Sequence, residues 1–181
     1  IKIIDDIGIY GLTIRELANR QEVTEAAIYR HFKSKQDILL AVLDKYSLFD
    51  AMIKNTIIEQ NMNARDGILF FVKSFVEYYE NYPEITSIMY MQNMFSAEPA
   101  AGQKLDEIVR DRFEFLTAVI EKGQHNKEIS RDLSREDLGL IIMGAIKEFS
   151  LLWRKSGYGF PLKDRTMNAI GIMLEYAKGA S

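Results

Sequence analysis

TIRELANRQEVTEAAIYRHF, residues 13–32, carries two short apolar stripes at helical spacing, and the way they face one another decides how the chain is read. Ile14, Leu17 and Ala18 make the first stripe; Ala27, Ile28 and Phe32 make the second. Val23 sits in a link of about four residues, and small Ala18 permits close approach, so the segment predicts a helix-turn-helix. Packing accounts for Val23, Ala27, Ile28 and Phe32. It leaves Thr24, Glu25, Ala26, Tyr29, Arg30 and His31 on the other faces, where a core has no use for them.

Those left-over residues suit double-stranded DNA. In a helix-turn-helix the start of the second helix enters the major groove while flanking groups grip phosphates. Thr13 and Thr24 are placed to cap the two helices, and each hydroxyl can also reach a phosphate. Ala26 lets the helix approach the bases, and its methyl can touch a thymine methyl. Arg30 can reach guanine or phosphate, and Glu25 can accept from a cytosine amino group. Tyr29 and His31 donate to phosphate oxygens, which position a protein without reading sequence. Lys35 opens the next helix and adds its charge to an N-terminal dipole, a natural phosphate site.

Across the rest of the chain, 3.6-residue periodicity is nearly continuous and β alternation is absent over any useful length, so the fold class is all-α. Thr13-Ile-Arg-Glu16, Ser34-Lys-Gln-Asp37 and Ser134-Arg-Glu-Asp137 each put a hydroxyl three residues ahead of a carboxylate, a helix-start signature. The pattern predicts nine helices, over 1–8, 14–20, 24–31, 35–54, 64–81, 83–95, 102–124, 134–155 and 162–178. Pro83, Pro99 and Pro161 fall where the pattern breaks. The expected organisation is a DNA-binding unit over 1–34, a connecting helix over 35–54, and a ligand-binding and dimerisation body over 55–181. Ile1 already lies inside helical pattern, so the natural start is expected to precede it.

Composition narrows the function classes. The 181 residues are 48% hydrophobic and 27% charged, with no cysteine, so there is no disulfide framework and no thiolate site. That fits a cytoplasmic protein. The longest apolar run, LGLIIMGAI at 138–146, is too short for a membrane, which needs about 20 residues. Net charge is −3, yet residues 12–35 hold five Arg/Lys against three Glu, so a modestly basic end sits on an acidic body. No phosphate loop, nucleophile motif or His-x-x-x-His pair occurs, and His31 and His125 lie far apart, so no catalytic residue, metal site or cofactor is expected.

Residues 1–50 resemble the DNA-binding region of tetracycline-repressor (TetR-like) transcriptional regulators. The resemblance rests on Gly8 and Gly11, LTIRELA (12–18), VTEAAIYRHF (23–32) and KSKQDIL (33–39), and is most specific from Val23 to Leu39. It implies nine helices, a homodimer on a palindromic operator, and a body that senses a small molecule, usually to release repression. The chain departs from the family pattern at Gln21-Glu22, where small residues, often Ala-Gly, precede the valine. A left-handed residue there without glycine costs on the order of 1 kcal/mol.

Two further sites are expected in the body. An effector pocket for a hydrophobic or aromatic molecule is drawn from the aromatic and methionine-rich middle of the chain: Phe71, Phe75, Tyr79, Met89, Met91 and Phe95. Phe113, Leu116, Met143 and Trp153 complete it. Helix 134–155 is apolar nearly all round, with Leu138, Ile141, Ile142, Ala145, Phe149, Leu152 and Trp153 on one stripe. Such a helix must be covered on all sides. A dimer interface is therefore expected from Leu140 and Ile146, with Thr166, Ala169, Ile170, Met173 and Ala177 of the last helix. Filling the pocket is expected to shift helix 83–95 and, through 35–54, the separation of the recognition helices. The rival reading is a helical carrier of hydrophobic molecules that does not bind DNA specifically.

Overall fold

Side-chain caps set where the helices begin. The Thr13 hydroxyl accepts from Glu16 N–H at 3.0 Å, and Thr24 accepts from Ala27 N–H at 3.2 Å. Ser34 and Asp37 close a reciprocal capping box, and Asn63 and Ser134 accept from Asp66 and Asp137 N–H. All three predicted hydroxyl–carboxylate starts are therefore helix starts.

The structure, a computed structural model, describes residues 1–178. Among them are eleven α-helices: α1 Lys2–Gly11, α2 Ile14–Arg20, α3 Glu25–Tyr29, α4 Lys35–Tyr46, α5 Asp50–Glu59 and α6 Ala64–Asn81 come first. After a 3-10 turn, Pro83–Thr86, follow α7 Ser87–Tyr90, α8 Gln92–Ser96, α9 Pro99–His125, α10 Arg135–Lys155 and α11 Leu162–Tyr176. No strand forms among the described residues; an isolated antiparallel bridge joins Ile129 to Lys178. The fold is all-α, as the periodicity predicts.

Three boundaries differ from the sequence pattern. The helix expected over 35–54 is two: α4 ends at a C-cap, Ser47, with φ −98 and ψ 10, and α5 begins at Asp50. The helix expected over 83–95 is the 3-10 turn, α7 and α8, with Met91 at φ −103, ψ 22 between the last two. Pro99 begins α9 rather than preceding it, since a first helical position needs no N–H. The first helix does break at residue 8: Gly8 has φ 75 and ψ 176, a region open essentially to glycine alone.

The chain forms two compact units, each discontinuous in sequence. Residues 1–48 and 83–108 make the first; residues 49–82 and 109–181 make the second, so α9 contributes to both. The first unit is cored by Ile4, Ile9, Leu39, Leu43, Ile85, Ile88 and Phe95. In the second, α6 is the central element, burying Ile68, Phe71, Val72, Phe75, Val76 and Tyr79. Helices α10 and α11 pack against it and each other. Gly139 lets α10 lie close on α9: a β-carbon there would meet the Phe113 ring and the Thr117 methyl at 2.9 Å.

Candidate nucleic-acid interface and effector region

The helix-turn-helix is held by a small set of covered side chains. Ala18 of α2 is 2% exposed and Ile28 of α3 is 8% exposed, while Ala27 and Phe32 are half-buried. Val23, expected to pack between the helices, is instead 45% exposed. The reason lies in the turn. Glu22 adopts φ 53, its N–H donates to the Asn19 carbonyl at 3.2 Å, and Val23 N–H donates to the Ala18 carbonyl at 3.0 Å. This is the paired closure of a helix through a left-handed residue, here built on glutamate in place of glycine, and it turns Val23 outward.

Around that scaffold Thr13, Thr24, Glu25, Ala26, Tyr29, Arg30 and His31 are all exposed on the first unit. The turn past α3 continues through His31, whose N–H reaches the Ile28 carbonyl at 2.9 Å. Thr13 and Thr24 spend their lone pairs as caps and keep an O–H to donate.

The cations of the segment divide into two sets. Arg20 pairs with Glu16 at 2.7 Å and with Asp6 of α1, so it latches α1 to α2. Hydrogen bonding to Asp6, then to Glu16, raises its already high pKa. Lys35 is half-buried, 3.5 Å from the Glu98 carboxylate and 5.7 Å above the Tyr10 ring. Arg15, Arg30 and Lys33 are exposed and have no ion pair among the described residues. The basic balance of residues 12–35 thus overstates the charge available to a phosphate, because two of its five cations are already engaged.

The expected effector residues fall in both units. In the first, Met89 and Phe95 are buried and Met91 is half-buried. In the second, Phe71, Phe75, Tyr79, Leu116 and Trp153 are buried, and Phe113 and Met143 are half-buried. Phe71 and Phe75 meet edge-on at 4.9 Å, Phe75 and Tyr79 lie 6.3 Å apart, and Trp153 meets Tyr158 edge-on at 4.7 Å.

Sequence reasoning missed the charge inside this aromatic cluster. Arg112, 3% exposed, donates from Nε to Asp50 at 2.7 Å and from Nη2 at 2.9 Å, with its guanidinium 4.3 Å from the Phe75 centroid. The signal was present: Arg112 continues the buried stripe Leu105, Ile108, Leu116, where a charge demands a partner. A surface cleft of about 390 Å³ in the second unit is lined instead by Asn63, Arg65, Glu128, Ile129, Leu174 and Lys178. It includes none of the expected effector residues.

On α10 and α11 the covered side is only in part the expected one: Leu138, Ile142 and Trp153 are buried and Leu140 is exposed, as the stripes predict. Ile146, Thr166, Ile170 and Ala177, expected at a dimer interface, are buried within the second unit. The core stripe of α10 runs Leu138, Ile142, Ile146, Ser150, Trp153. Ser150 and Thr166 look polar in sequence, but each hydroxyl donates to the carbonyl four residues earlier, at 2.7 and 2.8 Å, and so can enter a core. Leu140, Ile141 and Ile172 are left 60%, 53% and 53% exposed, with Ala169 and Met173 half-buried.

Among the described residues no group of three or more His, Asp or Glu is placed to hold a metal, and no helix is long and apolar enough to cross a membrane. Residues 1–42 match the family described as bacterial regulatory proteins, tetR family. Over 157 residues the chain is 23% identical to the fatty acid metabolism regulator protein of Bacillus subtilis (strain 168), spanning 84% of this chain and 78% of that one. The fold matches the transcriptional regulator FadR of B. subtilis, solved with stearoyl-CoA, at a TM-score of 0.80 and 19% identity, covering 96% and 92% of the two chains. It also matches the ketosteroid transcriptional regulator KstR2 of Mycobacterium tuberculosis, at a TM-score of 0.78 and 14% identity, covering 99% and 91%.

Proposed function

We propose, from the tetR-family match of residues 1–42 and the fold shared with solved transcriptional regulators, that the chain is a ligand-responsive transcriptional regulator that binds a palindromic operator as a homodimer. The observation that carries this reading is the exposed set Thr24, Ala26, Tyr29, Arg30 and His31, presented by a helix-turn-helix inside the segment that matches the family. Arg30 and Ala26 face bases, Glu25 selects against unsuitable ones, and Tyr29, His31, Thr13 and Lys35 take phosphates. The cytoplasm is the compartment in which such a protein meets its operator.

The dimer forms through the outward faces of α10 and α11, where Leu140, Ile141, Ile172, Ala169 and Met173 offer apolar surface. Gly144 on the same helix has open space around it. Ile146, Thr166, Ile170 and Ala177 serve the interior of the unit instead. A dimer sets two recognition helices about 34–36 Å apart, one DNA turn.

The effector is a hydrophobic molecule of the acyl or polycyclic kind. Three similar proteins point there: one is named for fatty acid metabolism, a FadR of the same fold was solved with stearoyl-CoA, and a third is named for ketosteroids. The aromatic interior around Phe71, Phe75 and Tyr79 is chemically suited to such a ligand. A ligand releases DNA only by binding two conformations unequally. The carrier reading finds no support in a matched DNA-binding domain.

The test is fluorescence anisotropy of the chain on labelled DNA from upstream of its own gene, at two salt concentrations. Saturable binding that weakens with salt and resists random competitor DNA is expected. Replacing Tyr29, His31 and Lys35 together by Ala should abolish it while a long-chain acyl-CoA still binds. DNA affinity that does not move in the triple variant refutes the site.

A further inference from the structure

Lys35 stands at the first position of α4, where a phosphate would meet both its charge and the helix N-terminus, yet its charge is already engaged. The Glu98 carboxylate lies 3.5 Å from its Nζ, and both side chains keep about a third of their surface open, at 33% and 38%. Glu98 is not an arbitrary neighbour. It is the residue before Pro99, its carbonyl accepts the first bond of α9 from Gly102 N–H at 2.8 Å, and so its place is fixed by that helix. Two turns along, Lys104 of α9 pairs with Asp44 and donates to the Leu40 carbonyl at 3.3 Å. The start of α9 therefore grips α4 at two places, and one grip takes the cation assigned to DNA.

We propose that Glu98 is an intramolecular competitor for the DNA phosphate at Lys35, so that the position of the α9 N-terminus sets how much of that cation is available to an operator. This rests on the regulator reading above. A carboxylate and a phosphate monoanion present the same acceptor chemistry to an ammonium, and Lys35 cannot serve both at full strength. The pair is exposed enough for its exchange to cost little, which is what a contact that must open and close requires. A displacement of α9 that withdraws Glu98 frees Lys35 and strengthens DNA binding; one that presses Glu98 home weakens it. Since α9 runs on past Ile108, the residue that sets the competition belongs to a helix that contributes to both units.

The experiment is a double-mutant cycle, with the full chain titrated onto a duplex that the parent protein has selected from a random-sequence pool. Glu98→Gln should tighten binding about two- to fivefold per protomer, the range of an exposed ion pair. It should also steepen the dependence of log K on log salt by about 0.9 per protomer, as one more cation is freed for phosphate. In a Lys35→Met background the same change should have no effect. Asp106→Asn, which removes an exposed charge elsewhere on α9, should change affinity less than about twofold. Should Lys35→Met leave too little binding to read, the salt slope of Glu98→Gln alone decides.

Glu98→Gln binding no tighter than the parent, with an unchanged slope, overturns the proposal. So does equal tightening with Lys35 absent, which is plain repulsion between an acid and DNA. A parent chain that selects no duplex overturns the regulator reading and the competition with it, an outcome distinct from the other two.

Discussion

Replacing Glu22 by glycine probes the turn on which the proposed DNA-binding surface is built. Glu22 sits at φ 53, where a β-carbon crowds the following carbonyl at a cost of roughly 1–2 kcal/mol. The conformation is imposed by the two bonds it closes, from Glu22 and Val23 N–H to the Asn19 and Ala18 carbonyls. The side chain is exposed, so truncating it forfeits no packing. Glycine removes the strain but widens the freedom of the unfolded chain, which opposes by about 0.4–1 kcal/mol. The net expectation is stabilisation by about 0.5–1 kcal/mol. Alanine is the reference, since it loses the same charge but keeps the β-carbon, and glycine should exceed it by about 1 kcal/mol. Urea unfolding followed by far-UV circular dichroism measures this, with an unchanged slope and a midpoint ordered Gly, then Glu and Ala. For a chain of this length about 1 kcal/mol is a shift of roughly 2–4 °C in a thermal melt. An alanine variant as stable as the glycine one would refute the account of the turn.

Two other perturbations bear on the second unit. Arg112→Met strips Asp50 of its buried partner and should destabilise the chain by about 3–5 kcal/mol, whereas adding Asp50→Leu should recover much of that; equal unfolding midpoints for single and double variants would reject the pair as the cause. Leu140→Asp places a charge on a side chain 60% exposed, so sedimentation should show dimer giving way to monomer with an unchanged helical spectrum; a variant that remains dimeric rules out this face of α10.

The helix-turn-helix and the helix starts were legible because their causes are local. A hydroxyl three residues ahead of a carboxylate satisfies first-turn N–H groups wherever it occurs, and Thr13, Ser34 and Ser134 do so without help from distant residues. The glutamate at the turn was legible too, since only glycine is free of left-handed strain, and Glu22 adopts the costly conformation. Even the break at Gly8 follows from one residue's backbone freedom.

Which faces are covered and which charges are engaged follow from packing alone, because those depend on partners far away in sequence. Periodicity marked α10 as apolar all round but could not tell that Ile146 turns inward and Leu140 outward, since a satisfied Ser150 completes the inner stripe. Arg112 finds Asp50 across 62 residues, and Lys35 finds Glu98 across a comparable span. Local pattern was enough to show that this chain folds into helices and carries a helix-turn-helix. The contacts between distant helices determined which of its cations stay unpaired, because an ion pair exists only once the chain has brought both charges to one place.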